Sequence, residues 1–385
     1  MRETAALDGM RGVAALLVVG FHVVIFTLGV RIDQPLDTGP MMTHASTWFL
    51  GWGFIGVDFF FVLSAFLLSQ PFLAPTTTQT WRSYASKRLL RVLPAYYASI
   101  LLVWLLFGRA DHWWFAIDWT ELWRHVLFLH GFWPDSQLDV SAVYWTLAVE
   151  LQFYLILPLL VLPFRTRWWP VALAVAAAIS LAYRAWAFVP GDVLATRFQE
   201  LQLPAFLWHF ALGVAAARFR KQVRARALAP RWLDAGIAAA VLLFIVAPSA
   251  AFGFETAAIE ADTPWFITLY RPLVAIGFTG VILLGCAGPS WSSRFFESRP
   301  LKTLGDWSYS LYLTHYAAGA WLLLSLPSLF ALDLPSLAFV VAVWCVLASG
   351  AFYWVVERPA LALKARLAHG MASRRGLQEP AQAPR

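Results

Sequence analysis

Arg11 and His22 lie eleven residues apart in the run LDGMRGVAALLVVGFHVV. On a helix that spacing is three turns plus about 20°, so both side chains share a face, separated by a rise of about 16 Å. An imidazole at His22 can take or give a proton near neutral pH. Asp8, one turn before Arg11, is placed to hold its guanidinium. A plainer reading also fits: Arg11 as a basic anchor at a membrane boundary and His22 as a polar packing residue. Arg88 and Arg91 sit one turn apart in WRSYASKRLLRVLPAYY. Paired guanidiniums suit bidentate capture of phosphate, or they anchor the chain at a lipid surface. Asp58 in GVDFFFVLSAFLLS and Glu150 in YWTLAVELQFYLILP are lone carboxylates in apolar runs. Each must pair with a cation or an imidazole, or stay protonated. Asp58 can instead cap a helix start. His209 in LPAFLWHFALG and His315 in DWSYSLYLTHY are single imidazoles in apolar runs. Such residues pack more often than they catalyse.

Several chemistries lack their signatures. There is no H-E-x-x-H and no Cys/His cluster, so no metal site is expected. No phosphate-binding Gly-rich loop and no G-x-S-x-G elbow occurs. The two cysteines, Cys286 and Cys345, lie in apolar runs and read as small buried fillers.

The elements that must position these groups follow from composition. Of 385 residues, 60% are hydrophobic and 13% charged, and mean hydropathy is +0.64. A soluble domain averages about 45–50% apolar and about 25% charged, so this chain has too little polar surface to fold in water. The 30 Phe, 21 Trp and 11 Tyr suit a bilayer protein with aromatic belts. An all-α, polytopic membrane helix bundle is the fold class expected. Ten segments approach the length of a span, at roughly 12–30, 51–69, 89–107, 145–163, 169–189, 203–219, 233–251, 268–287, 306–327 and 335–356. The Trp-rich stretch 108–144 reads as an interfacial or re-entrant element. With ten spans both termini share one side, and that side collects 23 of the 29 Lys and Arg residues. Cytoplasmic loops are the basic ones, so both termini are expected in the cytoplasm. The net charge of +7 is then a topology signal and carries no implication of nucleic-acid binding. Residues 1–360 form one transmembrane domain on this reading, and 361–385 a disordered basic cytoplasmic tail.

Six blocks now stand in order: LDGMRGVAALLVVGFH, GVDFFFVLSAFLLS, KRLLRVLPAYY, YWTLAVELQFYLILP, LGDWSYSLYLTH and VERP. Together they resemble the integral-membrane acyltransferase 3 family, across about residues 7 to 359. The resemblance implies a bacterial inner-membrane enzyme that moves an acyl group, commonly acetyl from acetyl-CoA, onto a hydroxyl of a carbohydrate or glycolipid. Acyl-CoA would be a co-substrate, with no permanently bound cofactor. Carried onto this chain, Arg11 and His22 would be the essential pair, and Arg88 and Arg91 would bind acyl-CoA from the cytoplasmic side. Glu150 and Asp58 would match the family's acidic positions. Ala65 and Leu151 depart from its pattern, and Leu151 leaves Glu150 as the only carboxylate of its block.

On this reading the pantetheine arm enters beside Arg88 and Arg91 and reaches inward to His22. His22 serves as general base or as transient acyl carrier, with Glu150 or Asp58 orienting its ring. Arg11 stabilises the thioester oxygen or fixes CoA. A different class fits the same buried charges: a proton-coupled transporter or flippase of a lipid-linked sugar.

Overall fold

Every one of the ten apolar runs is helical. The computed structural model describes residues 2–29, 51–74, 79–108, 122–252 and 264–363. The helices are α1 (Arg2–Gly29), α2 (Gly56–Leu73), α3 (Trp81–Phe107), α4 (Leu122–Val126), α5 (Trp145–Phe164), α6 (Trp169–Ala187) and α7 (Val193–Glu200). They continue as α8 (Leu203–Ala225), α9 (Pro230–Val241), α10 (Ala247–Phe252), α11 (Pro264–Gly285), α12 (Trp291–Phe296), α13 (Arg299–Ser325) and α14 (Leu334–Phe352). Wide turns at Leu242–Val246 and Tyr353–Glu357, with one extra residue each, extend α9 and α14. No strand occurs among the described residues.

Eight described helical segments are long and apolar enough to cross a bilayer. The other two expected spans are α8 and α13. Both have the length, but α8 carries Arg218, Arg220, Lys221 and Arg224, and α13 is diluted by the Trp, Ser, Tyr, Thr and His residues of 307–316. The fold is an all-α polytopic bundle. Its outward faces confirm the solvent: Leu101, Leu105, Leu159, Trp186, Leu243, Phe339 and Val355 are all exposed. Exposed apolar area on that scale is stable against lipid and not against water.

Three helices start well before the expected spans. α1 begins at Arg2 and α13 at Arg299, where Pro300 occupies the first turn. α3 begins at Trp81, where the Thr80 hydroxyl accepts the Ser83 N–H at 3.3 Å. These extensions place Arg11 and Arg88, which fell just before the expected spans, inside helices, as Arg91 already was. The expected tail region is still helical to Leu363. Residues 364–385, and the loop carrying Glu255, Glu260 and Asp262, lie outside the described residues.

α1 packs most extensively against α13, and α2 against α8. The α1–α13 contact depends on glycine. A Cβ on Gly12 would strike the Leu301 carbonyl, and one on Gly305 the Asp8 carbonyl, so the two backbones touch directly. α2 is the most buried of the eight candidate spans, while α6, α9 and α14 face outward over most of their surface.

Part of the stretch expected to be interfacial is described. Residues 122–144 fold as α4, a short turn of helix at His130–Phe132 and a series of turns. Trp113, Trp114 and Trp119 lie outside the described residues. Tyr96 and Tyr97 on α3 donate to the carbonyls of His125 and Val126, each at 3.0 Å. His125 and His130 stack with ring centroids 4.3 Å apart, both fully buried. Burial, and for His125 the facing His130, push their pKa values from 6.5 down to about 3 and about 4. The unfolded rings take up protons below about pH 6.5, whereas the folded rings do not. The stability that their neutral burial supplies is therefore complete above pH 6.5 and is lost as pH falls toward 4. Amide exchange in 122–144, corrected for its intrinsic rate, should be faster at pH 5 than at pH 7.5. The same acceleration in a His125→Phe/His130→Phe protein would trace it to other groups.

Candidate active site

A cavity of about 370 Å³ lies between α1, α2, α3, α5 and α13. One end is lined by Arg11, Arg88 and Arg91, with Asp8, Leu68 and Tyr154 beside them. The other end is formed by Val57, Thr146 and Tyr312. Along α2 the lining runs from Leu68 to Val57, eleven residues or about 16 Å. The three guanidiniums come from two helices and share one chamber.

None of the three makes an ion pair within 4.0 Å among the described residues. The side-chain ion pairs seen there are Arg124–Asp135, His209–Asp58 and Arg271–Asp58. Asp8 lines the same chamber but does not hold Arg11, contrary to the expectation from their spacing. The Nε of Arg88 is buried without a hydrogen-bond partner. Three guanidiniums against two carboxylates, Asp8 and Glu150, leave the lining with an excess of positive charge that suits an anion. Glu150 also lines the chamber, and its Oε1 accepts from Ser64 Oγ at 2.8 Å. Ser308 adds a buried hydroxyl without a partner.

The far end is closed by hydrogen bonds. Tyr312 OH donates to the Val143 carbonyl at 2.8 Å and lies 2.6 Å from Thr146 Oγ1. Behind this ring stands His315, its ring centroid 6.2 Å from that of Tyr312. His22 does not line the cavity. Gly53 and Gly56 pack against Leu17 and Val18, which sets the start of α2 about one turn short of His22. The cavity expected to reach His22 along their shared helix face therefore has Tyr312 in its lining and not His22. A shared face fixes direction but not what a neighbouring helix inserts between two residues.

His22 meets another imidazole. Its Nδ1 lies 3.1 Å from His315 Nε2 and 3.0 Å from the Val18 carbonyl. His315 Nδ1 lies 2.7 Å from the Leu311 carbonyl. Carbonyls only accept, so both Nδ1 atoms carry hydrogen. With both rings neutral, His22 Nδ1–H is shared between the Val18 carbonyl and the bare Nε2 of His315, and the lone pair of His22 sits on its own Nε2. Phe21 and Tyr316 flank His22 with ring centroids 5.1 and 5.4 Å away, and His22 itself is only partly buried. The expected carboxylate partner is absent: the ring is oriented by His315, and neither Glu150 nor Asp58 bonds to it. His315 could be singled out in the sequence only as a polar residue in an apolar run. Its pairing depends on how α1 and α13 cross.

Asp58 belongs to a second polar cluster. Its two oxygens take His209 Nε2 at 2.8 Å and Arg271 Nη1 at 3.0 Å, and it makes no helix cap. Arg184, fully buried, donates to the Ala205 and Ile267 carbonyls at 3.0 and 3.2 Å. This cluster ties α2, α6, α8 and α11 together. Breaking a buried pair by removing one partner costs about 3–5 kcal/mol. Asp58→Ala should therefore lower the melting temperature in detergent by several degrees. An unchanged melt would mean that the cluster holds nothing together. Glu357, of the VERP block, has a comparable place: its Oε2 accepts from Ser310 Oγ at 2.6 Å and Ser310 N at 3.1 Å, fixing α14 to α13. Of the cysteines, Cys345 is buried with its thiol 3.3 Å from the His315 carbonyl, and Cys286 is only partly buried.

Residues 4–354 match the acyltransferase domain family Acyl_transf_3. The chain belongs to the acyltransferase 3 family. Family members similar to it include the peptidoglycan O-acetyltransferase OatA of Listeria monocytogenes, 27% identical over 81% of this chain and 48% of the relative. The putative membrane-bound transacylase BcsY of Komagataeibacter xylinus is 29% identical over 80% of this chain and 71% of its own length. The O-acetyltransferase OatA of Staphylococcus aureus is 25% identical over 72% and 48%. The chain thus spans about half the length of the two OatA proteins. No solved structure matches. The match covers α1 to α14 almost entirely, so the guanidinium chamber and the histidine pair both lie within the family's domain.

Proposed function

We propose that this protein is a membrane O-acyltransferase that moves an acetyl group from acetyl-CoA to a hydroxyl of a cell-envelope carbohydrate. Family membership supports the reaction class, and the acetyltransferase relatives support the acyl group and the kind of acceptor. The observation that carries the donor is the chamber with three unpaired guanidiniums. Arg88 and Arg91 take the phosphates of CoA, and Arg11 stands beside them. A channel of about 16 Å accommodates an extended phosphopantetheine arm, which delivers the thioester to Thr146 and Tyr312. A chamber of about 370 Å³ suits a short acyl group on that arm.

The acceptor approaches His22 from its uncovered side. Its hydroxyl gives a proton to His22 Nε2, and the oxygen attacks the thioester carbonyl. The carbon–sulfur bond breaks, and CoA leaves as a thiolate that recovers the proton from His22. Tyr312 must swing out of its bonds to Val143 and Thr146 for thioester and hydroxyl to meet. Until it does, the ring keeps water on the His22 side away from an activated ester. In this reading the protein crosses the inner membrane ten times, α8 and α13 included, with both termini cytoplasmic. The partition of basic residues, 23 of 29 on the side of the termini, supports that topology.

The test uses membranes containing the full chain and radiolabelled acetyl-CoA. Label should leave CoA and appear in a membrane-bound or exported carbohydrate, with stoichiometric release of free CoA. A transporter or flippase would leave acetyl-CoA intact, and that result would end the proposal.

A further inference from the structure

We propose that His315 is a positioning residue for the acyl transfer: with the Val18 carbonyl it holds the hydrogen on His22 Nδ1, and it supports the proton that His22 acquires. The inference rests on the assignment of His22 as the base.

Both rings use one local device. In each helix the Nδ1–H is committed to a carbonyl one turn back, Val18 for His22 and Leu311 for His315. That bond leaves His315 Nε2 as an acceptor, and it points at His22 Nδ1 from 3.1 Å. A hydrogen on His22 Nδ1 is thus held by two acceptors, and the reactive lone pair is confined to Nε2. No hydrogen bond of His22 Nε2 occurs among the described residues, and the side chain as a whole is only partly buried. When His22 takes a proton, its Nδ1–H becomes a stronger donor, and the bond to His315 strengthens with it. An acidic partner does this work in other triads. Here a neutral acceptor suffices, and it avoids placing a further charge between α1 and α13. His315 is fully buried and is not part of the lining of the guanidinium chamber, so it acts through His22 and touches neither substrate.

A purely structural role makes different predictions from a positioning role. Glutamine can place its side-chain oxygen where His315 Nε2 stands. Asparagine reaches only as far as Nδ1, keeping a bond to Leu311 but not to His22. Leucine fills space and accepts nothing. The experiment measures release of free CoA and transfer of label from radiolabelled acetyl-CoA to endogenous acceptors. It compares wild type, His22→Ala, His315→Gln, His315→Asn and His315→Leu, each normalised to the protein in the membrane. His315→Leu should lower kcat by about 10²-fold or more, with KM for acetyl-CoA changed by no more than about twofold. His315→Gln should be at least about tenfold more active than His315→Asn. Equal activities of the Gln and Asn proteins overturn the proposal even if the Leu protein fails to accumulate. A Leu protein within about threefold of wild type overturns it as well. If wild type transfers label and His22→Ala does not, the base assignment survives either result. If wild type transfers none, the assignment fails first.

Discussion

His22→Ala protein should accumulate in the membrane at the wild-type level and transfer acetyl groups about 10³-fold more slowly, within the range lost with a general base. The effect should fall on kcat. The donor chamber ends at Val57, Thr146 and Tyr312, and His22 is not part of its lining. KM for acetyl-CoA should therefore stay within about twofold of wild type. Folding should be spared for a related reason. Alanine is a better helix former than histidine. The tight α1–α13 contact lies at Gly12 and Gly305, about three turns from His22 along α1. The ring makes no ion pair whose loss would strand a charge. A His22→Ala protein that transfers acetyl at the wild-type rate would remove the base from the mechanism and transfer its role to another group at the Tyr312 end.

The second large effect is expected on the donor side. Replacing Arg88 and Arg91 together by alanine should raise KM for acetyl-CoA by at least about 10²-fold, since a hydrogen bond to a charged group contributes about 1.5–3 kcal/mol and two are lost. The single variants should each raise it by about tenfold. Lysine at either position should restore charge without the planar fork and recover only part of the affinity. The alternative role, a basic anchor that sets orientation, makes a separable prediction. Loss of an anchor would change the accessibility of engineered loop cysteines and leave KM alone. Both residues sit within α3, past a capped start at Thr80, and their side chains line the chamber instead of projecting from a loop. An unchanged dependence on acetyl-CoA in the double variant would assign them to topology.

The three donor-side guanidiniums were legible as candidates because Arg in an apolar chain is costly wherever it is not functional or at an interface. What was not legible was that Arg11 joins Arg88 and Arg91 in one chamber. Helical periodicity relates residues on the same helix, and these come from α1 and α3. The same limit explains Asp58. Its depth in an apolar run marked it as important, but its partners, His209 and Arg271, arrive from α8 and α11. The pairing places it in a cluster with His209 and Arg271, apart from His22.

The chain by itself determined the solvent and the secondary structure. Its apolar content excludes water as the medium for its surface, and a bilayer allows only helices or closed barrels, since backbone groups there need partners within the segment or the sheet. Runs of about 20 apolar residues choose the helix. It also determined which polar residues are too expensive to be incidental. Tertiary structure alone decided which of them meet. The imidazole facing His22 is contributed from 293 positions away, and the tyrosine in the chamber lining next to that imidazole comes from the same distant helix. Both follow from the close crossing of α1 and α13, which glycine permits at Gly12 and Gly305. A crossing is set by the shapes of two helices at once, and no periodicity along one of them encodes it.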